Sequence, residues 1–254
     1  MPTITFSVQT LAAGLVFCRV GACLMLAPGF SSAQVPPQIR LFVAIGVSLA
    51  LAGIVPNAAA AASSADNPVA LFHSIVTESL VGGSIGMIAR LFVLALETTA
   101  YASATLVGFS NPFGIDIEPN QSMPPFATLI TVGATATIFF ADLHWAMLEG
   151  LSESFKIVPL GGDFSPAFAL RGIASTLRES FMLALRVCSP FILYSIIVNV
   201  AASLLNRLAP QIGVYATSAP FMIAGGAILL YATIAGMMTE FSEGLATWLA
   251  RGWE

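Results

Sequence analysis

No charged side chain occurs from Leu41 to Ala65, or from Leu208 to Thr239. Most of the remaining charges fall between further apolar runs, so the chain is cut into long greasy segments. A helix rises 1.5 Å per residue, and roughly twenty apolar residues therefore cross a bilayer core. Charged residues make up 9% of the chain, against about 25% in ordinary soluble domains. Nine basic and thirteen acidic side chains cannot cover the outside of a water-soluble domain of this length. Lipid, or equally apolar protein, must be the solvent for much of the surface. The expected fold is all-α: an integral-membrane helical protein with about six hydrophobic segments. One domain is expected over residues 1–254, with a short amphipathic tail over 240–254 that ends in Trp248 and Trp253 and suits an interface.

The apolar runs and their breaks can be read in order. A first run over about residues 8–30 is interrupted by Arg19 and ends at Pro28-Gly29. Pro36-Pro37 prevents the link from Ser31 to Arg40 from being helical throughout. The next helix should reach about Val55, before Pro56. The Ala58–Ala62 tract resembles a signal-peptide cleavage site but lies behind another apolar run, so no cleavage is expected. After Asp66-Asn67-Pro68, the region from Val69 to Phe109 is either two spans or one helix about twice as long as a bilayer core. Phe126–Ala141 and Phe181–Leu205 form further spans, the latter notched at Pro190, and Pro220 with Gly225-Gly226 should break or bend the last run. Residues 149–186 form the most polar stretch and contain a turn at Pro159-Leu160-Gly161-Gly162. The positive-inside rule places this stretch in the cytoplasm, but simple alternation then puts Arg40 outside. These segments need not all cross a bilayer in the usual way.

Charges within apolar runs are the first candidates for function: Arg19, Glu78, Arg90, Glu97, Arg186 and Arg207. Each costs roughly 2.5–3.5 kcal/mol in lipid unless it is paired or faces water. Arg90 and Glu97 lie seven apart on one helical face and suit one shared neighbour. Gly82 and Gly86 form a GxxxG pair that allows close approach of a second helix, and no lysine follows to make a phosphate loop. Cys18, Cys23 and Cys188 read as small buried hydrophobes. A net charge of −4 and a single lysine, Lys156, argue against nucleic acid and against an anionic-lipid patch. Neither HExxH nor a carboxylate–histidine cluster with metal spacing is present, so no catalytic centre, metal or cofactor is expected. Ser110 with His144 offers the outline of an intramembrane serine–histidine dyad, but Asn111 stands where a glycine is wanted. A secondary transporter, with Glu78, Glu97 or Arg186 at a midplane site, is the other alternative.

The segment Gly108, Phe109, Ser110, Asn111, Pro112, Phe113, Gly114, Ile115 combines helix breakers with large apolar side chains. That composition suits a hydrophobic constriction flanked by flexible points. An apolar-tipped external loop is the plainer reading of the same residues.

Several stretches together carry a family signature. Asn206-Arg207-Leu208-Ala209-Pro210-Gln211-Ile212-Gly213-Val214-Tyr215 resembles the Asn-Arg-x-x-Pro-Gln-x-x-Val-aromatic motif of the flagellar export-gate family typified by FliR, and of its injectisome counterparts. His144-Trp145, Ser152-Glu153-Ser154-Phe155 and Pro159-Leu160-Gly161 are similar to that family's histidine-containing segment. Arg19, Pro28-Gly29-Phe30, Val35-Pro36, Arg40-Leu41 and Glu78-Ser79-Leu80-Val81-Gly82-Gly83-Ser84-Ile85-Gly86 also fit, in the right order from about residue 10 to about residue 240. Gly213 departs from the pattern, which often has Asn there.

The resemblance implies a non-enzymatic subunit of a type III protein export gate in the bacterial inner membrane, at the flagellar basal body. Its partners would be FliP- and FliQ-like subunits, FlhB- and FlhA-like proteins, membrane lipid and unfolded substrates in transit. It also implies broken helical hairpins in place of simple spans, a pore plug at Gly108–Ile115, and a family motif or subunit interface at Asn206, Arg207, Pro210, Gln211, Glu78, Gly82 and Gly86. Glu78, Arg90, Glu97 and Arg186 would then meet partner subunits instead of lipid. An injectisome homologue is the nearest alternative, the N-terminal pattern favouring the flagellum.

Overall fold

The computed structural model describes residues 8–31, 35–53, 67–108, 124–162, 165–209 and 214–250. Among the described residues every regular element is an α-helix: α1 (Val8–Leu26), α2 (Pro37–Ala52), α3 (Pro68–Val107), α4 (Pro125–Phe140), α5 (Leu143–Ile157), α6 (Pro166–Leu208) and α7 (Val214–Ala250).

Proline sets many of the starts. Pro37, Pro68, Pro125 and Pro166 each open a helix, where the missing N–H is one that has no intrahelical partner anyway and the fixed φ already matches the helix. Asn67 adds a side-chain cap to α3, its Oδ1 accepting from the Val69 amide at 3.0 Å. Glycine marks some of the ends: Gly29 follows α1 with φ +84° and Gly108 follows α3 with φ +88°, a left-handed region that other residues rarely enter. α2 stops at Ala52, three residues short of the expected end, with Gly53 at its cap.

α3 is one helix of 40 residues, which settles the choice between two spans and one long element. α6 is longer still at 43 residues, and it continues past Pro190. The expected notch is bridged locally. Proline cannot donate to the carbonyl four residues back, that of Arg186, and the Ser189 hydroxyl donates to that oxygen at 2.7 Å. α7 likewise continues through Pro220 and Gly225-Gly226 to Ala250, so the expected break is absent and residues 240–250 extend the last helix without forming a separate one. The polar stretch 149–186 proves to be the end of α5, a turn, and the first half of α6.

Four helices are long and apolar enough to cross a membrane, α1, α3, α6 and α7, or up to five if the bent pair α4–α5 counts as one span. The bend in that pair falls at Ala141-Asp142, where Asp142 takes a left-handed φ of 55°. At 1.5 Å per residue α3 and α6 extend to about 60 Å or more, twice a hydrocarbon core and beyond what a tilt of about 40° absorbs. Parts of both must project beyond the lipid.

The chain divides into two compact units. The first holds residues 1–91, 142–177 and 248–254. Its core packs Leu15, Val16, Val20 and Leu24 of α1 with Val81 and Ile85 of α3, Leu151 and Phe155 of α5, and Leu160 from the turn beyond. The second holds residues 92–141 and 178–247. There α3 buries small side chains, Ala95, Thr99, Ala100, Ser103 and Ala104, the pattern that lets helices approach closely where lipid offers no hydrophobic drive. Phe126 of α4 meets Phe191 of α6 edge to face at 4.7 Å between centroids. The hydroxyls in these apolar helices are satisfied by their own backbone: Thr128, Thr131, Thr135 and Thr137 of α4 each donate to the carbonyl four residues earlier. A threonine-rich helix is thereby apolar in effect.

Candidate functional site

The densest chemistry in the described protein lies in the first unit, around a charge that has no water. Arg19 sits in the middle of the otherwise uncharged α1 and is 0% exposed. Glu78 of α3 is 1% exposed, and its Oε2 accepts from Arg19 Nε at 2.6 Å. The other guanidinium nitrogens reach α5 and its end: Nη1 donates to Ser154 Oγ at 3.2 Å and Nη2 to the Val158 carbonyl at 3.0 Å. Ser154 can accept because its own proton goes to the Leu151 carbonyl at 2.6 Å. The second carboxylate oxygen of Glu78 accepts from the Gly161 amide at 3.0 Å. Phe155 closes one face, its ring centroid 4.1 Å from Arg19 Cζ.

Local sequence explains why the pair can form. Glu78, Gly82 and Gly86 recur every four residues and so share one face of α3. A Cβ on Gly82 would collide with the backbone carbonyl of Arg19, coming within 2.9 Å of its Cα, and one on Gly86 would collide with the carbonyl of Cys23. The two helices therefore touch backbone to backbone, running in the same direction. That approach brings Arg19 within one side-chain length of Glu78.

Chemically the site is closed. The pair is neutral as a whole, both carboxylate oxygens carry a hydrogen bond, and no solvent reaches it. Removing two charges from water costs several kcal/mol per ion, and only good geometry with extra hydrogen bonds offsets this. The cluster supplies both. Among the described residues no group of three His, Cys, Asp or Glu could hold a metal.

The remaining expected residues lie elsewhere. Glu78, expected to meet a partner subunit, has its carboxylate enclosed within its own chain, and Gly82 and Gly86 are likewise taken up by α1. Arg90 and Glu97 are both half-buried on α3, but they fall in different compact units and form no ion pair with any described residue. Arg186, Asn206 and Arg207 are exposed on α6. Gly108 ends α3, while Phe109, Ser110, Asn111, Pro112, Phe113, Gly114 and Ile115 lie outside the described residues, as do Pro210, Gln211 and Trp253. His144 is half-buried beside Trp145.

The roles of Ser154, Phe155, the Val158 carbonyl and the Gly161 amide were not foreseen from the sequence. The sequence offered only a partial signal: Arg19 is the lone charge of its run, but Glu78 shares its run with Arg90 and Glu97, so the partner could not be singled out. Arg19, the Glu78–Gly86 stretch and the Ser154–Gly161 stretch, three separate pieces of the family signature, meet at this one point.

Residues 10–247 match the sequence profile of bacterial export proteins, family 1. The chain belongs to this family. It is 27% identical over 237 residues to the flagellar biosynthetic protein FliR of Caulobacter vibrioides, covering 92% of this chain and 93% of that protein. It is 25% identical over 230 residues to FliR of Escherichia coli, covering 89% and 85%, and 27% identical over 228 residues to FliR of Bacillus subtilis, covering 85% and 83%. The similarity thus spans the buried pair and the exposed half of α6 alike.

Proposed function

We propose that this export-family protein is a FliR-type subunit of the flagellar type III protein export gate. It would act without enzymatic chemistry in the bacterial inner membrane, at the flagellar basal body. The observation that carries this reading is the continuity of the match: the family profile covers residues 10–247, and FliR proteins of three distant bacteria align along most of the chain. The apolar helices support a membrane setting, and the exposed large hydrophobics along α6 and α7, Leu193, Ile196, Ile197, Phe221 and Ile228 among them, need lipid or other apolar helices to cover them. FliP- and FliQ-like subunits are the proposed cover, with FlhB- and FlhA-like proteins nearby and unfolded export substrates passing through the shared pore.

Gly108–Ile115 is the proposed plug of that pore. Deleting Ser110–Phe113 should raise ion permeability in cells with a fully assembled gate; unchanged permeability would remove the plug from the proposal. The function itself is tested by complementation. A strain lacking its own FliR should regain flagellar protein export when this chain is expressed with its cognate gate subunits, and a correctly inserted chain that restores no export would overturn the reading.

A further inference from the structure

The buried pair has two jobs it could be doing. It touches both the α1–α3 contact and the turn after α5, and the structure separates the two. α1 and α3 already meet through the backbone contacts at Gly82 and Gly86 and through Leu15, Val16, Val20, Val81 and Ile85. None of those contacts needs a charge. The turn has apolar support of its own, Leu160 in the core and Val158 packed against it, but that leaves its backbone polar groups unanswered. Leu160 is drawn into the core until it is 2% exposed, while Pro159 and Gly161 on either side of it stay exposed. Gly162 N donates to the Pro159 carbonyl at 2.9 Å, but the Val158 carbonyl and the Gly161 amide need partners from outside the turn. Val158 is half-buried and Gly161 exposed, and the Val158 carbonyl and the Gly161 amide each find their partner in the buried pair.

We propose that the Arg19–Glu78 pair is a clasp that holds the Val158–Gly162 turn shut, while cohesion of α1 with α3 resides in the Gly82 and Gly86 contacts. The pair offers one atom of each kind, Arg19 Nη2 to the carbonyl and Glu78 Oε1 to the amide. Its two charges cancel each other, so both polarities reach the interior with no net charge left there. Gly161 completes the fit: its amide donates to Glu78, and the chain leaves it with a φ of +72°, a value that side-chain-bearing residues rarely adopt.

The clasp is tested by removing both charges together, because either one alone would leave a buried unpaired ion. Full-length Arg19→Met/Glu78→Leu, extracted in mild detergent with the proteins that accompany it, is compared with the native chain by hydrogen–deuterium exchange. The amides of Leu160, Gly161 and Gly162 should exchange at least about tenfold faster, as expected for freed backbone hydrogen bonds. The amides of α1 and of α3 around Gly82 and Gly86 should stay as protected as before. A turn that stays protected would overturn the proposal. So would a loss of protection along α1 and α3, or failure of the double variant to accumulate in the membrane, since either would make the pair the main staple between those helices.

Discussion

The two compact units bury themselves differently. In the first, α1 places an arginine where no water reaches and answers it within the same chain, with a carboxylate, a hydroxyl, a carbonyl and an aromatic face. In the second, the polar atoms of α4 are tied back to their own helix, and cations on α6, Arg186 and Arg207, are left outside. Helix burial follows the same division: 44% of the apolar window of α1 is buried, against 17% for α7. The contrast shows that a charge in an apolar helix has no single meaning. Where neighbouring segments of the chain supply both polarities it is structure, and where they do not it is surface awaiting something else.

The largest expected effect comes from breaking the answered charge. Glu78→Ala leaves Arg19 buried without its counter-ion and the Gly161 amide without an acceptor, and removing one member of a buried pair typically costs about 3–5 kcal/mol. Pulse proteolysis of isolated membranes across a denaturant series should show most of the folded fraction lost. A cost below about 1 kcal/mol, the scale of an exposed pair, would mean that the interior there is wet and the contrast between the units false.

Next in size is the backbone contact that brings the pair together. Gly82→Ala puts a methyl group into the Arg19 carbonyl, and since helix backbone cannot move aside cheaply, about 1–3 kcal/mol should be lost by the same assay. Gly21→Ala is the matched control on α1, with nothing within 4 Å of the added carbon. It should gain up to about 1 kcal/mol from helix propensity. If the two variants behave alike, the close approach of α1 to α3 is not what fixes the first unit.

Much of this architecture was legible in the sequence because it depends on local rules. Pro37, Pro68 and Pro125 open helices for reasons internal to one residue, and Asn67 caps the helix that follows it. The span expected from Phe181 instead begins well upstream, at Pro166, because the polar stretch ahead of it is helical too. The turn at Pro159–Gly162 could be read from its residues too. What held that turn could not, because Arg19 and Glu78 are 59 residues apart and spacing rules pair only residues on one helix. The same rule put Arg90 and Glu97 on one face to serve a shared neighbour, but neither forms an ion pair with any described residue. Local rules also failed at Pro190, where the adjacent Ser189 hydroxyl repairs the gap that proline leaves. The character of Arg186 was ambiguous for the opposite reason: an exposed cation on an apolar helix is completed only by molecules beyond this chain.

Arg186 therefore offers the finest test of the contrast, and the smallest expected change in fold stability. Arg186→Ala removes an exposed guanidinium that pairs with no described residue of its own chain, so folding should shift by no more than about 0.5 kcal/mol. If the exposed side of α6 is covered by gate partners, the same variant should lower the yield of the co-purified complex several-fold while leaving membrane levels of the chain unchanged. Glu78→Ala should do the reverse, losing the chain itself before any question of assembly arises. Should Arg186→Ala destabilise the chain as Glu78→Ala does, the second unit would hold a buried charge network of its own, and the division drawn between the two units would fall.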